Sequence, residues 1–224
     1  GAGAAASALT FRPAQFSDLE AIVGVIVAAM PSDPQWDWRF PRRREYADDT
    51  RAFTSAKYHE FLSDKDAWHV MVAESDDSAR PHVCRARMIV AVAVWDQAAM
   101  QCPPSEPLLL PSHKRRDGHR RRMELWAATM AKARKQYFDD SFGARHLQLQ
   151  ILATHPDYQR RGAGTALCKW GMAFAQKWGM VVTVFASPMG KKLYRRLGFQ
   201  TMARIEMRVP DEMESVAPVA MSYE

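Results

Sequence analysis

Cysteine is scarce. The 224 residues hold three, Cys84, Cys102 and Cys168, scattered and odd in number, which suits reduced thiols and argues against a zinc or disulfide framework. Long apolar runs are missing too, so neither a signal peptide nor a membrane span is expected, and a cytoplasmic or nuclear compartment is. No segment repeats at a fixed period. The Gly-x-x-x-x-Gly-Lys-Ser/Thr spacing is absent, and Gly162-Ala163-Gly164 is followed by Leu167 where a dinucleotide fingerprint needs its third glycine. Nucleoside triphosphates and nicotinamide cofactors are therefore disfavoured.

Charge leans one way: 31 Lys and Arg against 25 Asp and Glu leave +6. A positive field steers polyanions and counts against a strongly basic acceptor. With 47% hydrophobic residues the chain can bury one sizeable core. A single domain over 9–210 is expected, after a flexible small-residue stretch over 1–8 and before an irregular tail over 211–224.

The most informative stretch runs from His146 to Thr165. Leu147, Leu149 and Ile151 alternate with Gln148 and Gln150, the period of a half-buried strand with the three apolar residues on one face. Pro156 stops the ladder. Gly162 and Gly164 then open a loop whose backbone can take conformations that a β-carbon forbids. Ala166, Leu167, Trp170, Ala173 and Phe174 follow at helical spacing. A helix opening from such a loop presents unpaired N–H groups and a positive dipole end, a site for phosphate, and Gln159, Arg160 and Arg161 add donors beside it. The other reading of the glycines alone is a tight strand-to-helix turn. Val181 to Ala186 is apolar and rich in valine, as in a strand buried beside a parallel neighbour, which completes a βαβ unit.

Two segments carry a resemblance. Gln159-Arg160-Arg161-Gly162-Ala163-Gly164 matches the Gln/Arg-x-x-Gly-x-Gly/Ala motif of the GNAT superfamily of N-acetyltransferases, and Leu193-Tyr194-Arg195-Arg196-Leu197-Gly198-Phe199 resembles its Leu-Tyr-x-x-x-Gly-Phe segment. The likeness is firm over about Leu147 to Met207 and looser before. It implies an α+β (mixed α/β) fold: a central, mostly antiparallel, splayed sheet of about seven strands flanked by helices, with residues 96–145 a helical insertion before the cofactor-binding strand. It also implies acetyl-CoA as acyl donor and no metal. The pyrophosphate would lie on Gln159, Arg160, Arg161, Gly162, Ala163, Gly164 and Thr165. The backbone N–H groups of Leu152, Ala153 and Thr154 would meet the pantetheine arm and the thioester carbonyl, where aligned donors stabilise an oxyanion. Tyr194 matches the general acid, since a phenol with an ordinary pKa of about 10 is protonated at neutral pH. Ser187 stands where related proteins commonly carry an asparagine that contacts CoA.

Ahead of this region, Leu9 to Pro13 reads as a strand. Ser17 and Glu20 form a capping box for a helix with Leu19, Ile22, Val23, Ile26 and Val27 inward, ended by Pro31 and Pro34. Asp33 to Pro41 carries Trp36, Asp37, Trp38 and Phe40 outside any clear period. It reads as a loop that either tucks its aromatics under the first helix or, as the resemblance implies, walls the acceptor pocket. A second helix is expected from about Asp48 to Leu62, then an antiparallel hairpin of Trp68–Glu74 and Arg85–Trp95 about a polar turn over 75–81. Pro103 to Pro107 cannot be helical. His113 to Arg122 is a basic run flanking an amphipathic helix marked by Met123, Leu125, Trp126, Met130, Ala133 and Phe138. Lacking interleaved aromatics, it reads as a solvated run rather than a nucleic-acid surface. A short helix over Met189–Leu197, capped by Gly198, and strands over Phe199–Arg204 and Ile205–Val209 complete the expected fold.

For the general base, Asp37, Glu45, Glu124, His155 and Asp157 are candidates that no spacing separates. The acceptor is expected to be a primary amine on a small molecule, with a protein lysine or N-terminus as the alternative. A basic nucleic-acid-binding or regulatory module with a vestigial acyl-CoA site is the reading from another class. Monomer and homodimer both stay open.

Overall fold

Valine and alanine alternate along Met88–Asp96 (β3) so that both of its faces are apolar, and β3 accordingly lies inside a sheet rather than at its edge. The computed structural model describes residues 8–76, 87–97 and 115–224. Most of the expected hairpin turn, the Pro103–Pro107 connector, the first seven residues, His113, Cys84 and Cys102 lie outside these. The sheet has seven strands in the order β1-β2-β3-β4-β5-β9-β6. They are Leu9–Pro13 (β1), Trp68–Ser75 (β2), β3, His146–Thr154 (β4), Val181–Ala186 (β5), Gln200–Arg204 (β6) and Val219–Tyr223 (β9). Met207–Arg208 (β7) and Ser215–Val216 (β8) pair separately. β4 and β5 form the one parallel pair of the central sheet; its other neighbours run antiparallel.

Helices Leu19–Ala29 (α1), Pro34–Arg39 (α2) and Ala47–Ser63 (α3) precede β2. Arg120–Arg134 (α4) runs through a π-helical turn over Lys135–Asp139 into a last turn, Asp140–Phe142 (α5), ahead of β4. Ala163–Lys177 (α6) links β4 to β5, and Pro188–Arg196 (α7) links β5 to β6.

Five expectations are corrected here. The 211–224 segment is not an irregular tail: β9 lies between β5 and β6 with Val219, Ala220 and Met221 buried, because consecutive apolar residues there supply both faces of an interior strand. Consequently the strand expected over Ile205–Val209 contributes only β7, outside the main sheet. The first helix is preceded by a 3-10 turn capped by Asp18, whose carboxylate accepts from the Gln15 N–H at 2.7 Å; Ser17 and Glu20 are not the box. The aromatic segment is not a loop. Asp33 caps it by accepting from the Gln35 N–H at 2.9 Å, and Pro34 at the first position starts α2.

The last correction concerns β4. Its register against β3 slips between Val94 and Trp95, leaving Gln150 as the extra residue of a bulge. A one-residue slip turns every later side chain to the opposite face. Leu147 and Leu149 therefore pack with α6, whereas Ile151 and Ala153 pack with α1 and α3.

That face assignment organises the core. One side of the sheet carries a continuous layer in which Leu167, Cys168 and Ala175 of α6 and Tyr194 of α7 meet Trp95, Val182, Val184 and Met221. The other side is covered by two separate groups. Ile22, Ile26, Trp36, Tyr58 and Phe61 sit over β2 to β4; Trp38, Phe138, Met130 and Trp126 sit over Phe185 and Ala220 of β5 and β9. The gap between them falls above the β4–β5 pair.

Two predictions follow from this packing. A Cβ on Gly171 would stand 2.2 Å from the Trp95 ring, so Gly171→Ala should cost about 1–3 kcal/mol by overpacking, measured by urea denaturation. His146 is fully buried between Thr183 at 3.1 Å and Asp139 at 3.0 Å, and burial lowers its pKa below the ordinary 6.5 despite Asp139. A depressed folded value means that the unfolded chain takes up the proton first. Thermal stability should therefore be flat above about pH 6.5 and fall as pH drops below it, with a shallower fall in His146→Gln.

Candidate active site

The parallel pairing of β4 with β5 runs from His146–Val181 to Leu149–Val184 and stops. Beyond it β5 pairs with β9 through Phe185 and Ala186, while β4 continues along β3 to Thr154. The two strands therefore part, and one edge of β4 loses its neighbour. The His155 N–H donates to the Val90 carbonyl at 2.8 Å. Alternation along an extended chain then sends the Ala153 N–H toward β3 as well, and the N–H groups of Leu152 and Thr154 toward the parting. Of the three backbone donors expected there, two face the gap and Ala153 does not.

The loop beyond β4 is built from local bonds. The Gln159 amide donates to the Thr154 carbonyl at 3.2 Å, and the Arg161 guanidinium donates to the Asp157 carbonyl at 2.9 Å and lies 4.8 Å over the Tyr158 ring. Arg160 and Gly162 take positive φ of 63° and 92°, which turns the chain into the first residue of α6, the buried Ala163. A Cβ on Gly164 would lie 3.7 Å from both Leu152 and Leu193 and 3.9 Å from the Thr154 hydroxyl. The two motif segments, loop and α7, thus meet at the end of β4, with Thr165 following in the first turn of α6.

At the parting lies a cavity of about 520 Å³. Leu152, Ser187, Tyr194, Trp36 and Phe40 line it, as do Gln148, Gln150 and Ile151 of β4. The loop residues 159–165 lie outside its wall. Tyr194 belongs to the core on the α6 side yet lines this cavity on the other side, which the parted strands permit. Burial pushes its phenol well above the ordinary range, reinforced by Cys168 and Asp33. Ser187 caps α7 by accepting from the Gly190 N–H at 3.3 Å. Gly190 is required to be small: a Cβ would reach 2.7 Å from the Tyr194 ring.

Asp37 and Trp38 turn away from the cavity. Asp37 is exposed and paired with Arg43, and Trp38 packs against the α4 side with Arg122 5.4 Å over its ring. Period 3.6 explains the split, since Trp36 and Phe40 are four apart on α2 and share a face.

Several lining residues lay outside the sequence-based site. Asp33 is the one carboxylate among the described residues in the wall. Burial raises its pKa although the Gln35 N–H, Arg39 and Ser187 oppose this. Arg39, Phe53, Lys57, Tyr58 and Phe61 come from α2 and α3, and Arg115, Trp126, Met130 and Arg134 from the insertion. The helices of α3 and α4 were legible from their spacing, α2 was not, and which face meets the cavity could be read for none of them. The basic run is largely paired within the chain: Arg115 with Asp117 at 2.7 Å, Arg116 with Asp49 at 2.6 Å, Arg120 with Glu124 at 2.8 Å and Arg122 with Glu212 at 2.6 Å. Arg116 and Arg122 strap the insertion to α3 and to the segment between β7 and β8, while Arg116, Arg120 and Arg121 stay exposed, as a solvated run would.

The acetyltransferase (GNAT) domain family matches residues 124–201, the span from α4 through α7 into β6. An acetyltransferase of Stachybotrys chartarum is 28% identical over 213 residues, covering 91% of this chain and 84% of its own. Among solved structures, a histone acetyltransferase HPA2 and related acetyltransferase of Corynebacterium glutamicum is similar with a TM-score of 0.56 at 22% identity, over 96% of this chain and 94% of that one. The PaiA N-acetyltransferase of Thermoplasma acidophilum, solved in complex with coenzyme A, is similar with a TM-score of 0.55 at 11% identity, over 97% and 99%. At these identities the likeness of the solved structures is one of fold. Among the described residues no helix is long and apolar enough to cross a membrane.

The two loop glycines should respond differently to substitution. Gly162→Ala places a Cβ at a φ of 92° and should destabilise the fold by about 1–2 kcal/mol. Gly164→Ala meets only ordinary contacts and should leave the urea midpoint unchanged or slightly raised.

Proposed function

We propose that the chain, which is similar to acetyltransferases of the GNAT superfamily, binds acetyl-CoA across the β4–β5 parting and transfers the acetyl group to a primary amine on a small molecule. The observation that carries this is the cavity, which meets the parted strands with Tyr194 in its wall. The helix N-terminus at Gly162 to Thr165, with Arg160 beside it, would receive the pyrophosphate. The pantetheine arm would then run along the unpaired edge of β4 and bring the thioester to the cavity.

The chemistry balances within these groups. The amine nitrogen attacks the thioester carbonyl, a C–N bond forms, and the oxyanion accepts hydrogen bonds from the outward N–H groups of Leu152 and Thr154. Collapse breaks the C–S bond. The nitrogen sheds a proton and the sulfur gains one. Asp33 receives the amine's proton, since burial raises its affinity for one. Tyr194 donates to the departing sulfur; its raised pKa keeps the phenol protonated throughout the working range. Walls from α2, α3 and α4 favour a small acceptor over a lysine on a folded protein.

Saturating acetyl-CoA should raise the melting temperature, and free thiol should appear when amines are added; an unchanged melting temperature would sink this reading. Tyr194→Phe should lower kcat by about 10²-fold or more while acetyl-CoA affinity by calorimetry stays within about twofold. Asp33→Asn keeps the α2 cap, since asparagine caps as well as aspartate. Activity needs the carboxylate, so kcat/KM should fall as pH drops through the raised Asp33 pKa. That acidic limb should vanish in Asp33→Asn along with most of the turnover.

A further inference from the structure

The cavity wall is unevenly charged. Four cations, Arg39, Lys57, Arg115 and Arg134, face the single carboxylate of Asp33 among the described residues. Three of the four are matched elsewhere: Lys57 by Glu60 at 3.5 Å, Arg115 by Asp117 at 2.7 Å and Arg134 by Asp96. Arg39 forms no ion pair among the described residues. Its Nε donates to the Gln35 carbonyl at 3.1 Å, folding the guanidinium back along α2 toward Asp33. The group stacks 4.1 Å over the Trp126 ring and 5.3 Å over Phe40. Stacking fixes the plane of the fork and leaves its remaining N–H donors at the edge, the presentation that suits a carboxylate. Burial pulls its pKa down to about 10, which leaves the charge in place at neutral pH.

A second observation points to the same ligand. Gln35, Trp36 and Tyr58 line the cavity from α2 and α3, are each more than nine-tenths buried, and each keep a donor with no hydrogen-bond partner: Gln35 Nε2, Trp36 Nε1 and Tyr58 Oη. Buried polar groups are ordinarily satisfied. Here three side chains that line the same cavity as Arg39 keep donors without an acceptor, which favours a ligand that accepts hydrogen bonds and bears negative charge.

We propose that the acceptor amine also carries a carboxylate, so that the substrate is an amino acid or a close amine carboxylate with an apolar or aromatic side chain. Its carboxylate sits on Arg39, its nitrogen lies between Asp33 and the thioester, and its side chain lies among Phe40, Phe53, Phe61 and Trp126. This rests on the acetyl-transfer reading above. The spacing is compatible, because the folded-back guanidinium brings the anion subsite near the α2 N-terminus, where Asp33 stands.

Matched pairs that differ only in the carboxylate test it: phenylalanine against phenylethylamine, tyrosine against tyramine, and tryptophan against tryptamine, followed by thiol release from acetyl-CoA. The expected result is at least a tenfold higher kcat/KM for the carboxylate member, carried by KM. In Arg39→Gln that ratio should collapse toward one, and Arg39→Lys should restore part of it. Acetyl-CoA affinity measured on both variants shows that they remain folded. Equal or inverted ratios in the unsubstituted protein overturn the proposal while leaving acetyl transfer standing. An undiminished ratio in Arg39→Gln overturns it too. Acetyl-CoA binding without thiol release from any pair overturns both this and the small-molecule reading, and no binding at all overturns acetyl transfer itself.

Discussion

The structure depends on two strands that begin parallel and then separate. Four residue pairs hold β4 to β5, and past Leu149 and Val184 the ladder ends. A sheet normally satisfies its backbone donors internally, and leaving an edge unpaired in the interior is costly. In this protein the cost is confined to a few residues, and the same unpaired edge is what a ligand with an extended, hydrogen-bonding arm can complete. The parting also lets Tyr194 serve two layers, as core for α6 and as wall for the cavity on the opposite face.

The bulge at Gln150 and the split cover over the far face work together with this. By shifting register, the bulge hands Ile151 and Ala153 to the α1 side just where β5 departs. The α1–α3 group and the α4 group then stop short of each other. A cavity is left between two well-packed halves, walled by helices whose positions are fixed by their own cores and by ion pairs such as Arg116 with Asp49 and Arg122 with Glu212.

Much of this was written in the local sequence. Alternation, Pro156 and the glycines at 162 and 164 mark β4, its end and the start of α6, and the Leu193–Phe199 segment marks α7. What escaped is what depends on pairing across distance. Nothing local announces that Gln150 is a bulge, because the slip is defined only against β3. Val219 to Tyr223 is five residues after a turn-rich stretch, and its place follows from β5 and β6 needing a common neighbour. The acceptor side was least legible: Asp33 and Arg39 fall in a segment that reads as an aperiodic loop until α2 forms and is packed against α3 and α4.

The position of β9 has a consequence for how the molecule is assembled. β6 is joined to the sheet through β9 alone, so displacing five residues removes two strands. On a chain growing from its N-terminus, Val219 to Tyr223 emerge after all the strands they must join. The place between β5 and β6 therefore stays open until β9 slides in, like a keystone set into an arch already standing on its other leg.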